Sequence, residues 1–138
     1  MAVKEILLDT NAYSAFKRNL PDAIGIIRHV PVIGINSIVL GELLGGFIAG
    51  KREAINRQEL KQFLSSKRVR LLTADEGTAE YYAIIYRGLR QKGQPIPTND
   101  MWIAATALQH GLAVFTYDGH FQYVEGLNIG NRLSDFIF

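Results

Sequence analysis

Asp9, Glu42, Asp100 and Asp118 are the residues of this chain whose types and placement best suit chemistry. Asp9 closes an apolar run, Glu42 lies inside an early helix, Asp100 at a helix start, and Asp118 just beyond a second apolar run. Ligands of open α/β sheets collect past the carboxyl ends of the strands, where both Asp9 and Asp118 would stand. Glu42 follows Ser37 by about 7.5 Å of helix axis, and helical side chains lean toward the N-terminus, so its carboxylate reaches for the same end. A helix N-terminus favours an ionised Asp100 by a few tenths to about 1 kcal/mol. Carboxylates gathered in one place repel and raise one another's pKa, which a hard divalent ion relieves. The set therefore implies Mg²⁺ or Mn²⁺, as one or two ions. A pair about 3.5 to 4 Å apart would activate water and stabilise the leaving oxygen of a phosphodiester displacement, with no protein nucleophile. Thr10, Asn11, Asn99 and Thr116 are the neighbouring hydroxyls and amides available to orient waters, ligands or phosphate. Each acid also has a plainer reading: Asp9 and Asp100 as helix caps, Asp118 before Gly119 as a turn former, Glu42 as a solvated helix residue.

Other chemistries fit less well. The run from Gly45 to Lys51 imitates a phosphate-binding loop, but Arg52 stands where Ser or Thr should hold magnesium, and the glycines fall within a helix rather than before one. No G-x-G-x-x-G motif opens a helix after a strand. Asn11 occupies the position of the second Asp expected two residues after an aspartyl nucleophile. His29, His110 and His120 lack zinc-site spacing, and Ser14 and Ser37 lack a nucleophile signature.

The elements that must position the acids read as alternating strands and helices. Ile6–Leu8 suits a strand buried on both faces. A short helix runs through Phe16, Pro21 opens a second, and strand two covers Pro31 to Ile35. Ser37 is the expected N-cap of a long helix with Leu40, Leu43, Leu44 and Phe47 as its apolar stripe. Gly41, Gly45 and Gly46 each lower its helicity by about 1 kcal/mol, a cost that close helix packing would offset. A charged helix from Glu53 to Leu64, a strand at Val69–Leu72 and a helix from Asp75 to Lys92 follow. Thr98 or Asn99 is expected to cap the next helix, which stops at Gly111, and Leu112 to Thr116 forms a strand. The tail adds an edge strand near Asn128–Ile129 and a closing segment from Leu133 to Phe138. Strands separated by helices argue for a central, mostly parallel sheet with helices on both faces.

The 138 residues suit one domain, spanning residues 1–138. Apolar residues make up 48% and charged residues 20%, as in ordinary globular chains. The absence of cysteine excludes disulfides and thiolate metal sites, and neither a secretory leader nor a membrane span is visible, so a cytoplasmic location is expected. Net charge is +2, but Lys51, Arg52, Arg57, Lys61, Lys67, Arg68 and Arg70 crowd one stretch while the C-terminal part is acidic. Such a run forms either a solvated helix face or a phosphate-binding surface.

Four segments in order, Leu7-Leu8-Asp9-Thr10-Asn11, Glu42-Leu43-Leu44-Gly45-Gly46, Asn99 to Leu108, and Phe115-Thr116-Tyr117-Asp118-Gly119-His120-Phe121, give a chain that resembles PIN-domain nucleases, specifically VapC-type toxins of toxin–antitoxin pairs. The resemblance implies a three-layer α/β/α sandwich and metal-dependent RNA cleavage. It carries Asp9, Glu42, Asp100 and Asp118 over as metal ligands, Thr116 as an active-site hydroxyl and Asn11 as a polar neighbour. Many relatives have a further acid two positions after the fourth; here that residue is His120, which would contact RNA or cap a turn and leaves a second metal in question. The resemblance also implies a homodimer and an antitoxin whose peptide fills a groove near the acids, with the helix Ser37–Ala49 and the charged helix after it as places for such contacts. Tyr117 and Trp102 would stack on RNA bases, or Trp102 would be buried. A processing nuclease without antitoxin and a catalytically silent PIN module binding RNA or protein are the alternatives.

Overall fold

The computed structural model describes residues 3–136. Five parallel strands, β1 (Glu5–Leu8), β2 (Val32–Asn36), β3 (Val69–Leu72), β4 (Ala113–Phe115) and β5 (Ile129–Gly130), form one sheet in the order β3-β2-β1-β4-β5. Among the described residues, seven α-helices flank it as a three-layer α/β/α sandwich: α1 (Thr10–Lys17), α2 (Pro21–His29), α3 (Ser37–Ala49), α4 (Glu53–Leu64), α5 (Glu76–Lys92), α6 (Thr98–His110) and α7 (Leu133–Phe136). The rest of the expected closing segment, beyond Phe136, lies outside the described residues.

Continuous apolar runs become the central strands because helices exclude water from both faces. Ile6, Leu7, Leu8, Ile33, Ile35, Val114 and Phe115 are fully buried. At the β3 edge Arg70 and Leu71 are exposed, and a charged residue on an edge discourages pairing with another chain. Strand order reverses direction at β1: β2 lies on one side and β4, reached much later in the chain, on the other. A crevice opens at such a switch point, beyond the strand ends. Leu8 pairs with Phe115 at the last level of the ladder, and the Asp9 amide closes it by donating to the Phe115 carbonyl at 3.1 Å.

Two helix starts differ from expectation. Asn36, not Ser37, caps α3: its Oδ1 accepts the Val39 amide at 2.9 Å, while Ser37 is already helical and exposed. Asn36 is buried and its Nδ2 also donates to Thr106 Oγ1 on α6 at 3.2 Å, a second interaction that a solvated serine cannot supply. Neither Thr98 nor Asn99 caps α6, which begins directly after Pro97 without a side-chain cap. Strand β4 is shorter than expected because the Leu112 amide bonds back to Ala107, finishing the α6 cap around the left-handed Gly111.

The basic stretch divides physically. Arg68 turns inward and donates to the carbonyls of Ile27, Val30 and Arg28 at 2.6, 2.8 and 3.2 Å, closing the C-terminus of α2, whereas Lys51, Arg52, Arg57, Lys61, Lys67 and Arg70 are exposed. Trp102 stacks on Tyr82 at 4.3 Å between ring centroids, which commits it to the α5–α6 contact rather than to a base. That contact is reinforced where Gln109 bonds to Asp75 and Thr78 in the capping box of α5.

Asn36→Ala should lower stability by about 2 kcal/mol in urea unfolding, because it removes a helix cap and a buried inter-helix bond together. Ser37→Ala should cost less than about 0.5 kcal/mol; equal losses would return the cap to Ser37.

Candidate active site

The crevice beyond β1 and β4 gathers the acids through short hydrogen-bonded chains. Asp9 follows Leu8 directly and is 5% exposed. Its Oδ1 accepts the Thr10 amide at 2.8 Å, which caps α1, and its Oδ2 accepts the Thr116 hydroxyl at 2.7 Å. Thr116, 3% exposed, in turn accepts the Asp118 amide at 2.9 Å, so one hydroxyl fixes the ends of β1 and β4 against each other. Asn11 adds a second tie, its Oδ1 accepting the Tyr117 amide at 3.1 Å.

Glu42 comes from the first half of α3, and it is half-buried rather than solvated. The Thr10 hydroxyl donates to its Oε1 at 2.5 Å, and Asn99 Nδ2 donates to its Oε2 at 3.3 Å. Two residues flanking two of the other acids thus aim the fourth carboxylate. Asp100, 9% exposed, projects from the first turn of α6. Its Oδ2 lies 3.1 Å from His120 Nδ1, and the same nitrogen lies 3.1 Å from Asp118 Oδ1. Asp118 caps the 3-10 helix Gly119–Tyr123 by accepting the His120 amide at 2.9 Å. Asp100, Asp118 and His120 can each offer one ligand atom within 4.8 Å of the others.

The capping roles of Asp9 and Asp118 therefore coexist with convergence, while Asp100 caps nothing. Asn36 and Thr106, which hold α3 and α6 in register, escaped the sequence reading although Asn at a strand end before a helix is a strong cap type. Tyr117 remains 41% exposed beside the site.

Electrostatics mark the crevice as costly. Burial pushes Asp9 up to about 6, with Asp100 and Glu42 adding like-charge repulsion, against the opposing bonds from Thr116 and Thr10. Burial also raises Asp100, helped by the charges of Asp118 and Glu42 and opposed by His120. Desolvation thus raises Asp100 although it stands in the first turn of a helix, where the ionised form is favoured. The donor set fits a hard divalent cation: several carboxylate oxygens past the ends of β1 and β4, two of the groups buried and mutually repelling. Asp9, Glu42, Asp100 and Asp118 are the residues with oxygens to offer it.

Asp9 carries a raised pKa only in the fold, so between about 4 and about 6 the folded state binds more protons and stability falls as pH rises. At pH 7 to 8 without divalent cations, Asp9→Asn should therefore be more stable than the wild type, by about 1 to 3 kcal/mol in denaturant titrations. The gain should vanish near pH 4; a constant difference across that range would contradict the account.

A family model for the PIN domain matches residues 6–127. Ribonuclease VapC5 of Mycobacterium tuberculosis is 30% identical over 122 residues, 87% of each chain. The crystal structure of VapBC2 from Rickettsia felis, bound to a DNA fragment from its promoter, aligns with a TM-score of 0.83 at 27% identity, covering 93% of this chain and 98% of the other. VapBC-5 from Mycobacterium tuberculosis, a member of the VapBC family of toxin-antitoxin systems, aligns with a TM-score of 0.68 at 27% identity, over 92% and 96% of the two chains. With its sheet order, its crevice of acids and these likenesses along most of its length, the chain belongs to the PIN domain family, in its VapC-type branch.

Proposed function

We propose that this protein is an endoribonuclease that hydrolyses RNA phosphodiester bonds and acts as the toxin of a VapC-type toxin–antitoxin pair. The observation that carries the reading is the meeting of Asp9, Glu42, Asp100 and Asp118 in one crevice, where two of them are pushed toward protonation by burial and by one another. A module that only binds gains nothing from assembling mutually repelling carboxylates.

The four carboxylates would hold Mg²⁺ or Mn²⁺ in one or two positions. When bound, the cation supplies Lewis acidity for a scissile phosphate and its attacking water. The chain's own residues provide the frame. Thr116 keeps Asp9 and Asp118 in fixed relation, Thr10 and Asn99 aim Glu42, and Asn11 anchors the backbone between Thr116 and Asp118. Burial of Asp9 and Asp100 limits competing water and strengthens every charge interaction inside the crevice.

The partners follow from the same surfaces. A Cβ added at Gly41, Gly45 or Gly46 would meet nothing within 4 Å, so among the described residues no helix packs on the glycine face of α3, and the packing that would offset their helical cost is left to another chain. Ile48 continues that face at 61% exposure. A second copy or the antitoxin covers it in the cell, and a homodimer is the working assembly. The chain works in the cytoplasm, where its RNA is; no described helix is long and apolar enough to cross a membrane.

Purified protein should cleave RNA with Mg²⁺ or Mn²⁺ and stop on chelation, and Asp9→Asn or Asp100→Asn should abolish cleavage in gel assays. Cleavage surviving both chelation and substitution would exclude the carboxylate site. Thr116→Val should lower kcat by about 10- to 100-fold, since it loosens two acids at once. Expression alone should arrest growth; unimpaired growth with active protein would make the chain a processing nuclease instead.

A further inference from the structure

The least expected member of the crevice is His120, an imidazole placed against two acids. We propose that His120 is itself a metal ligand through Nδ1, forming with Asp100 and Asp118 a mixed carboxylate–imidazole position that selects first-row transition cations over Mg²⁺. The proposal rests on the metal-dependent nuclease reading above and adds to it which ion the Asp118 side prefers.

The geometry carries it. Nδ1 stands 3.1 Å from Asp100 Oδ2 and 3.1 Å from Asp118 Oδ1. Ligands about 2.1 Å from a six-coordinate ion are about 3.0 Å apart along each octahedral edge, so these spacings already match two edges. The position is built rather than casual. Asp118 Oδ1 accepts the His120 backbone amide, and the Asp118 amide is held by the Thr116 hydroxyl, so the loop that carries the imidazole is tied to β4 and through Thr116 to Asp9. Mg²⁺ favours oxygen ligands and retained waters, whereas an imidazole nitrogen raises affinity for transition ions. An Nδ1–H shared between the two carboxylates would have the same spacing without any metal, and that is the alternative to be excluded.

The full chain loaded with Mn²⁺ offers a readout independent of turnover. Electron spin echo modulation should show a directly bound ¹⁴N nucleus, and the signal should disappear in His120→Asn. His29 and His110 end α2 and α6, the helices that lead into β2 and β4, and so lie at the opposite end of the sheet and cannot supply that nitrogen. Calorimetry should show Mn²⁺ affinity of His120→Asn weakened about tenfold or more, with Mg²⁺ affinity changed less than about threefold. The ring is half exposed, so its replacement leaves the core untouched, and the wild-type spectrum stands without any variant. Mn²⁺ bound without nitrogen coupling, or equal loss for both ions, would overturn the His120 assignment while leaving a chelation-sensitive nuclease intact. Failure to bind either cation, together with cleavage indifferent to chelation, would overturn both readings.

Discussion

Burial of carboxylates crowded at one end of the sheet, with their mutual repulsion added, is the constraint around which this molecule is arranged. Asp9 sits at the reversal of strand order, where a crevice is unavoidable, and its burial forces a proton affinity far above that of a solvated aspartate. Asp100, Asp118 and Glu42 arrive from three other elements, so no local motif could relieve the strain of bringing them together. The fold instead fixes two of the acids with neutral side-chain donors: Thr116 for Asp9, Thr10 and Asn99 for Glu42. Such donors orient a carboxylate without neutralising it, which leaves the negative field available to a cation.

Holding the site open has structural consequences further away. Asn36 ties α3 to α6 and thereby sets the distance between Glu42 and Asp100, although it touches neither. Stacking of Trp102 on Tyr82 and the Gln109 bonds to the α5 cap keep α6 from sliding along the sheet. The cation-free protein therefore spends stability on its crevice, and binding of a divalent ion to the folded form would return it by mass action. A face of α3 made of glycines and one exposed isoleucine adds a second incompletely satisfied surface, in keeping with a protein that works in company.

Much of this was legible in the sequence for physical reasons. Apolar runs such as Ile6–Leu8 read as buried strands because parallel strands are covered on both faces, and a sheet of such strands places its acids at the carboxyl end. The helix starts were less legible: Asn36 and Ser37 are both good caps, and only the long-range bond to Thr106 decides between them. The upward pull on Asp100 was not legible from its place at a helix start, because desolvation depends on neighbours distant in the chain. Arg68 could not be separated from its basic neighbours, since its partners are carbonyls some forty residues earlier. His120 was visible as a departure from the acidic pattern, but its approach to two carboxylates at once required the folded loop.

Anomalous scattering from crystals grown with Mn²⁺ tests the convergence of the acids most directly. The expected map has at least one strong peak in the crevice beyond β1 and β4, bound by oxygens from Asp9 and Asp100 with Glu42 or Asp118 beside it. Peaks confined to surface carboxylates elsewhere, or none under conditions where the protein cleaves RNA, would contradict the account.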